Sequence, residues 1–202
     1  MLKTVTGSVA AGVLITIGGS VFLAAENRVV GAVLFSVALL CICYLGSYLF
    51  TGKIGFLTDD FTGRNISHLS VGLLGNLITT FLLGLLIRYA LPSLGATATV
   101  LCEAKLTQSF PVTFVRACFC GVLMYAAVWI YKEKKTPLGI LFCIPVFILS
   151  GFEHSVADMF YFGASGIGNP KILSFEAAAV LGNAVGSLIL PLLGKAGEKR
   201  ES

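Results

Sequence analysis

The sequence predicts an all-α membrane protein with six transmembrane helices in two inverted three-helix repeats, helices two and five being broken, an aquaporin-like architecture. Three observations carry this. Of 202 residues, 56% are hydrophobic and 12% charged, with a mean hydropathy of +0.93, far from ordinary soluble composition. Six apolar stretches reach the roughly 20 residues that cross a bilayer core. Two of them are interrupted by polar residues at corresponding places, Leu49-Phe50-Thr51-Gly52-Lys53 and Gly151-Phe152-Glu153-His154-Ser155. Paired broken helices in the two halves of a membrane chain point to a site at the bilayer midplane.

The first span, 5–25, carries Gly7, Gly12, Gly18 and Gly19 among alanines, so neighbouring helices can approach closely. It is too long for a signal-peptide core and has no A-x-A site, so it is expected to remain as a span. The second span, 29–50, contains Phe35, Leu39, Leu49 and Phe50, halts at Thr51-Gly52, and continues through Gly55 to Thr58-Asp59-Asp60. Unpaired backbone at this depth survives only where it lines a cavity or packs in protein, so Thr51 would offer its hydroxyl to the cavity. The plainer alternative is a helix end at the interface with Lys53 snorkelling.

The third span, 66–89, carries Gly75-Asn76, and the sixth, 172–193, repeats the pair as Gly182-Asn183. The recurrence on the third span of each half argues for two repeats, about 5–89 and 110–193, within a single channel domain, 1–202. Three spans are an odd number, so the second repeat inserts with opposite orientation. The two asparagines can hydrogen-bond backbone freed by the breaks. Between the halves runs the connection 91–109 with Glu103-Ala104-Lys105, and a lysine over a pore mouth raises the local anion concentration. The fourth span, 110–131, holds Arg116, Gly121, Met124 and Trp129, and a polar tail occupies 195–202.

The fifth span, 137–162, contains Pro145, Phe147 and the Glu153-His154 pair. Ionisable residues within a span are costly, and a functional role is their default reading; the blander one is a histidine bonded to a neighbouring helix. A helix restarting near Glu153 aims its positive end at a cavity holding His154, which favours an anion. Glu153 then reads as an acceptor for the freed N–H groups. Asp158, one turn on, reads as orienting the imidazole or facing another subunit.

An even number of spans puts both termini on one side. Lys3, Lys53, Arg64, Lys132, Lys134, Lys135, Lys195, Lys199 and Arg200 fall there, against Arg28, Arg88, Lys105, Arg116 and Lys171 opposite. The positive-inside rule makes the first side cytoplasmic. These basic residues form no continuous stripe, so the net charge of +4 implies no nucleic-acid partner. Cys41, Cys43, Cys118, Cys120 and Cys143 lie in apolar runs and Cys102 in a short connection, without metal spacing; all six read as small apolar fillers.

These motifs, with Ala104-Lys105, Ala127-Val128-Trp129 and Ser150-Gly151-Phe152-Glu153-His154-Ser155, resemble the formate/nitrite transporter family of pentameric anion channels over essentially the whole chain. The resemblance implies a pore in each protomer centred on His154 and Thr51. Apolar constrictions at Leu39, Leu49, Phe50 and Phe147, joined by Phe35, would flank that centre. It also implies anion attraction by Lys105, bracing by Asn76 and Asn183, a homopentamer, and residence in the bacterial plasma membrane with no cofactor or metal. Gly121 and Asp158 stand where many formate members carry asparagine, and with the run Cys120 to Tyr125 look closer to hydrosulfide members. Only four residues precede the first span, so a gating role for an N-terminal amphipathic helix is in doubt.

The expected function is therefore a channel or transporter for small monovalent anions such as formate, nitrite or hydrosulfide, with His154 assisting by hydrogen bonding or protonation. An aquaporin-like channel for neutral solutes is the alternative, although no Asn-Pro-Ala stands at either break. An enzyme built on Ser165, with His154 as base, is a third reading.

Overall fold

The computed structural model describes residues 1–201, with side chains over 1–197; the end of the polar tail expected at 195–202, including Lys199 and Arg200, falls outside the described side chains. The chain forms α1 (Leu2–Ala24), α2 (Arg28–Leu45), α3 (Gly63–Ala90), α4 (Pro92–Leu106), α5 (Phe110–Lys134), α6 (Leu138–Leu149), α7 (Ser155–Ser165) and α8 (Lys171–Glu201), with no strand among the described residues. Helices α1, α2, α3, α5 and α8 are long and apolar enough to cross a membrane, and α6 is a shorter apolar helix.

Both interruptions begin with a glycine at positive φ. Asn27 starts α2 by accepting from the Val29 and Val30 N–H groups. Gly46, at φ +65, ends it in the left-handed conformation that a side chain resists. The chain then leaves the helical path, Tyr48 N donating to Gly7 O of α1 at 3.0 Å, before a 3-10 turn at Ile54–Thr58. This break thus opens several residues before Thr51-Gly52, where the sequence put it. In the second half, Pro145 removes a backbone donor inside α6, and Gly151, at φ +70, turns the chain before α7 begins.

The connection 91–109 is not plain loop. It folds as α4, opened by Pro92 in its first turn, where a missing N–H costs nothing. Gly95, Ala98 and Cys102 are its buried residues, and it packs on α7. Cys102 is therefore a buried helix residue rather than part of a short connection, and Lys105 is carried inward on the last turn.

Helix α1 packs on α2 and α3, and α5 on α6 and α8, while α2 meets α6 across the centre and α3 lies on α7. Small residues set these distances: a Cβ at Gly12 would meet Thr79 Cβ at 2.7 Å, and one at Gly121 would meet Ser187 N at 2.8 Å. Phe35, Leu39, Leu49, Ile144, Phe147 and Phe160 are buried at the centre. Val13, Val37, Leu74, Ile78, Val185 and Ile189 are exposed on the outer faces, the distribution expected where the surrounding solvent is lipid.

Candidate functional site

The site is built by two asparagines. Asn76 Oδ1 accepts from Phe50 N at 2.9 Å, while its Nδ2 donates to Tyr48 O at 2.9 Å and Ser8 O at 3.0 Å. Asn183 repeats the pattern: Oδ1 accepts from Ser155 N at 2.9 Å, and Nδ2 donates to Glu153 O at 2.8 Å and Ala117 O at 2.9 Å. Each clamps a break by one N–H and the carbonyl two residues earlier, and ties both to the first helix of its half. Backbone groups that would be unsatisfied at bilayer depth are thereby paired.

His154 caps α7. Its Nδ1 accepts from Ala157 N at 3.1 Å, and its carbonyl accepts from Asp158 N at 2.8 Å. Nε2 lies 2.8 Å from Thr51 Oγ1, both residues being almost fully buried. An amide N–H can only donate, so Nδ1 carries the lone pair. This hydrogen-bond network puts the proton of the neutral ring on Nε2, pointing at Thr51. The Thr51 hydroxyl hydrogen is then available to a third group. The imidazole stacks on Phe147, ring centres 5.7 Å apart, and Phe147 meets Phe35 edge-on at 6.4 Å.

Two cavities approach this pair. One, of about 260 Å3, is lined by Phe35, Phe147 and His154 together with Arg28, Lys105, Gln108, Arg116, Glu153 and Asp158. The other, of about 100 Å3, is lined by Leu39, Leu49, Gly52, Lys53, Val128 and Lys132. Phe50 lines neither. It packs with Ile54 and Leu69 in a separate apolar cluster, because successive residues of a non-helical segment point to opposite sides and Leu49 takes the cavity side. At the second cavity, burial and the neighbouring Lys132 push the Lys53 ammonium below its ordinary value.

Lys105 reaches the larger cavity from α4, where it bonds the Glu153 carboxylate and lies 2.9 Å from Asp158 Oδ1. Burial works against its charge, but Asp158 and Glu153 outweigh this and hold the ammonium above its usual range. Gln108 Nε2 donates to Glu153 Oε1 at 2.7 Å, and Arg116 stands 3.9 Å from the same oxygen. Two expectations change here. The Glu153 carboxylate pairs with Lys105 and Gln108 rather than accepting from freed N–H groups, a task that falls to Asn183. Asp158 pairs with Lys105 rather than with the imidazole, whose Nδ1 is already occupied. The unforeseen α4 causes both, since it delivers a cation to this point.

Sequence reasoning missed Arg28, Gln108 and Glu176. Gln108 gives no local signal, whereas Glu176 is the one charged residue in the apolar run 172–193, a signal of the kind that marks a functional site. Ser165 sits at the far end of the 11-residue α7, about 16 Å from the His154 cap by helical rise, and donates to Phe162 O at 2.8 Å. No nucleophile–base pair forms between them. All six cysteines are free thiols.

The sequence matches the family described as formate/nitrite transporter over residues 1–196. It is 31% identical over 169 residues to the nitrite transporter NirC of Escherichia coli strain K12, covering 77% of this chain and 63% of that protein. The chain thus spans about 63% of the length of that relative. Among solved structures, it superposes on a pentameric formate channel with formate bound at a TM-score of 0.81 and 20% identity, covering 96% of this chain and 95% of the other. It superposes on an FNT family ion channel at 0.78 and 25% identity, covering 98% and 88%.

Proposed function

Because the chain belongs to the formate/nitrite transporter family, we propose that it conducts a small monovalent anion of a weak acid, such as formate, nitrite or hydrosulfide, across a bilayer. The observation that carries this is the Thr51–His154 hydrogen bond, approached by an aromatic-lined cavity on one side and a leucine-lined cavity on the other. Arg28, Lys105 and Arg116 against Glu153 and Asp158 make the larger cavity cationic by one charge, which enriches anions there. Phe35 and Phe147 strip water from the entering ion, and Leu39 and Leu49 exclude hydrated ions on the other side. Lys105 acts as part of this basic rim, and Asn76 and Asn183 hold the breaks open.

His154 assists as a hydrogen-bond donor. Making it an imidazolium requires Nδ1 to release the Ala157 N–H, which uncaps α7. The neutral ring keeps that cap, donates through Nε2 to Thr51, and lets Thr51 donate onward to the ion. Losing hydration without such donors is prohibitive for a bare anion.

The protein is further read as one channel domain that assembles as a homopentamer with a pore in each protomer. It would sit in a bacterial plasma membrane with both termini cytoplasmic, and act without enzymatic chemistry. Gly121 and Asp158 favour a hydrosulfide-type member over a formate-type one. The basic rim argues against a neutral-solute channel, for which it has no use.

The test is flux into proteoliposomes with formate, nitrite, hydrosulfide, acetate and chloride offered separately across a pH gradient. Weak-acid anions are expected to pass and chloride to be excluded. Chloride flux equal to that of formate overturns the reading.

A further inference from the structure

The single excess positive charge of the larger cavity belongs to one residue. Among the charged residues that line it, Lys105 bonds the Glu153 carboxylate and lies 2.9 Å from Asp158 Oδ1, all three side chains being 12% exposed or less. Arg116 is half-exposed and stands 3.9 Å from Glu153 Oε1, an oxygen that also accepts from Gln108. Two cations and two carboxylates thus answer one another in a connected cluster, and Arg28 is left over. The ion pairs among the described residues join Lys105 to Glu153 and Asp158, Arg116 to Glu153, and Lys195 to Asp59. Arg28 enters none of them, although Glu26 is two residues away. Its place in the helix is an unfavourable one for a cation. Arg28 is the first residue of α2, whose first turn holds no acidic residue, and the N-terminal end of a helix carries the positive pole of its dipole. Asn27 already caps that end by accepting from Val29 N and Val30 N, so the guanidinium is not needed there for the cap. It is exposed, on the wall of the cavity that it shares with Phe35, Phe147 and His154.

We propose that Arg28 is the residue on which the incoming anion first lands. Lys105, to which the family resemblance gives this task, acts instead as the counter-ion that keeps Glu153 and Asp158 buried. The capture part rests on the anion-channel reading; the counter-ion part does not. A lysine held between two carboxylates offers little net field to a distant anion, because the charges cancel with distance. The charge of Arg28 faces water, so its pairing with an anion is weak and screened by salt. That suits a residue which must release what it binds to the constriction beyond. A guanidinium also stays protonated throughout the physiological pH range, so capture itself does not titrate.

Formate uptake by proteoliposomes reads capture when KM and maximal rate are measured at about 10 mM and about 150 mM sodium gluconate, between which the screening length falls from about 30 to about 8 Å. At the lower salt Arg28→Gln should raise KM about two- to fivefold, the range of an exposed ion pair, without lowering the maximal rate. Arg28→Lys, which keeps a charge, should stay close to wild type. At the higher salt wild type and Arg28→Gln should converge. Equal KM at low salt, or a difference of the same size at both salts, overturns capture. Thermal unfolding in detergent reads the other part. Arg28→Gln should leave the midpoint unchanged or raise it, since it removes a cation from a helix N-terminus, whereas Lys105→Met should lower it by stranding two buried carboxylates. A lower midpoint in Arg28→Gln overturns the assignment of Arg28, and an unchanged one in Lys105→Met overturns the counter-ion role. Wild-type liposomes that take up none of the weak-acid anions overturn the anion path and capture together, while the Lys105→Met midpoint still decides the counter-ion role.

Discussion

Thr51 and His154 show how much a pair of side chains decides. The hydroxyl accepts the Nε2 proton and keeps its own hydrogen for the ion, so the two functions of Thr51 can be separated from its size. Thr51→Ser should conduct within a factor of about two of wild type. Thr51→Val, equal in shape but without the hydroxyl, strands a buried donor, a loss of about 1–3 kcal/mol; uptake should fall about tenfold or more. Equal rates for Val and wild type would remove Thr51 from the path. His154 and Thr51 were readable from sequence because polar residues inside apolar runs are conspicuous. Glu176 is as conspicuous by that rule, but no motif accompanies it. The family resemblance implies a constriction at Phe50, which instead packs with Ile54 and Leu69. Nothing in the sequence says which of two adjacent residues in a broken segment faces the cavity, and the Asn76 clamp on Phe50 N settles it.

The breaks hold because the third helix of each half reaches into them. Asn183 satisfies Ser155 N, Glu153 O and Ala117 O at once. Asn183→Leu should therefore leave two buried groups of the break unpaired, Ser155 N and Glu153 O, at about 1–3 kcal/mol each, and lower the thermal unfolding midpoint in detergent well beyond the effect of Leu at exposed Val185. An unfolding midpoint equal to that of Val185→Leu would deny the clamp. The two breaks were readable because Gly-Asn recurs on matching spans. Where the first break starts was not, since Gly46 ends α2 by its backbone conformation and not by any polar signal. Helix α4 escaped because its 15 residues are too short and too mixed for a span, and the sequence around Lys105 reads equally well as a connection. That omission alone misassigned the Glu153 and Asp158 partners.

Across the full assembly of helices, the apolar outer faces and the distribution of Lys and Arg set how the protein lies in a bilayer. Asp60 and Ser93 are exposed in opposite connections. In a cysteine-free background, Asp60→Cys should react with a membrane-impermeant maleimide only from the cytoplasmic side and Ser93→Cys only from the other. The reverse labelling would invert the orientation of the basic cavity and the direction of anion recruitment. The all-helical membrane architecture was readable from hydropathy. The cavities were not, because their walls come from residues far apart in sequence, such as Arg28, Lys105 and Arg116. The central claim is that a neutral imidazole, held by Ala157 and directed at Thr51, assists an anion through the middle of the membrane. His154→Asn tests it most directly, because asparagine is a good helix cap and can keep α7 in place while removing the ring. Formate and nitrite uptake by proteoliposomes, followed across a pH series, should fall about tenfold or more at every pH. Uptake equal to wild type throughout would contradict the account.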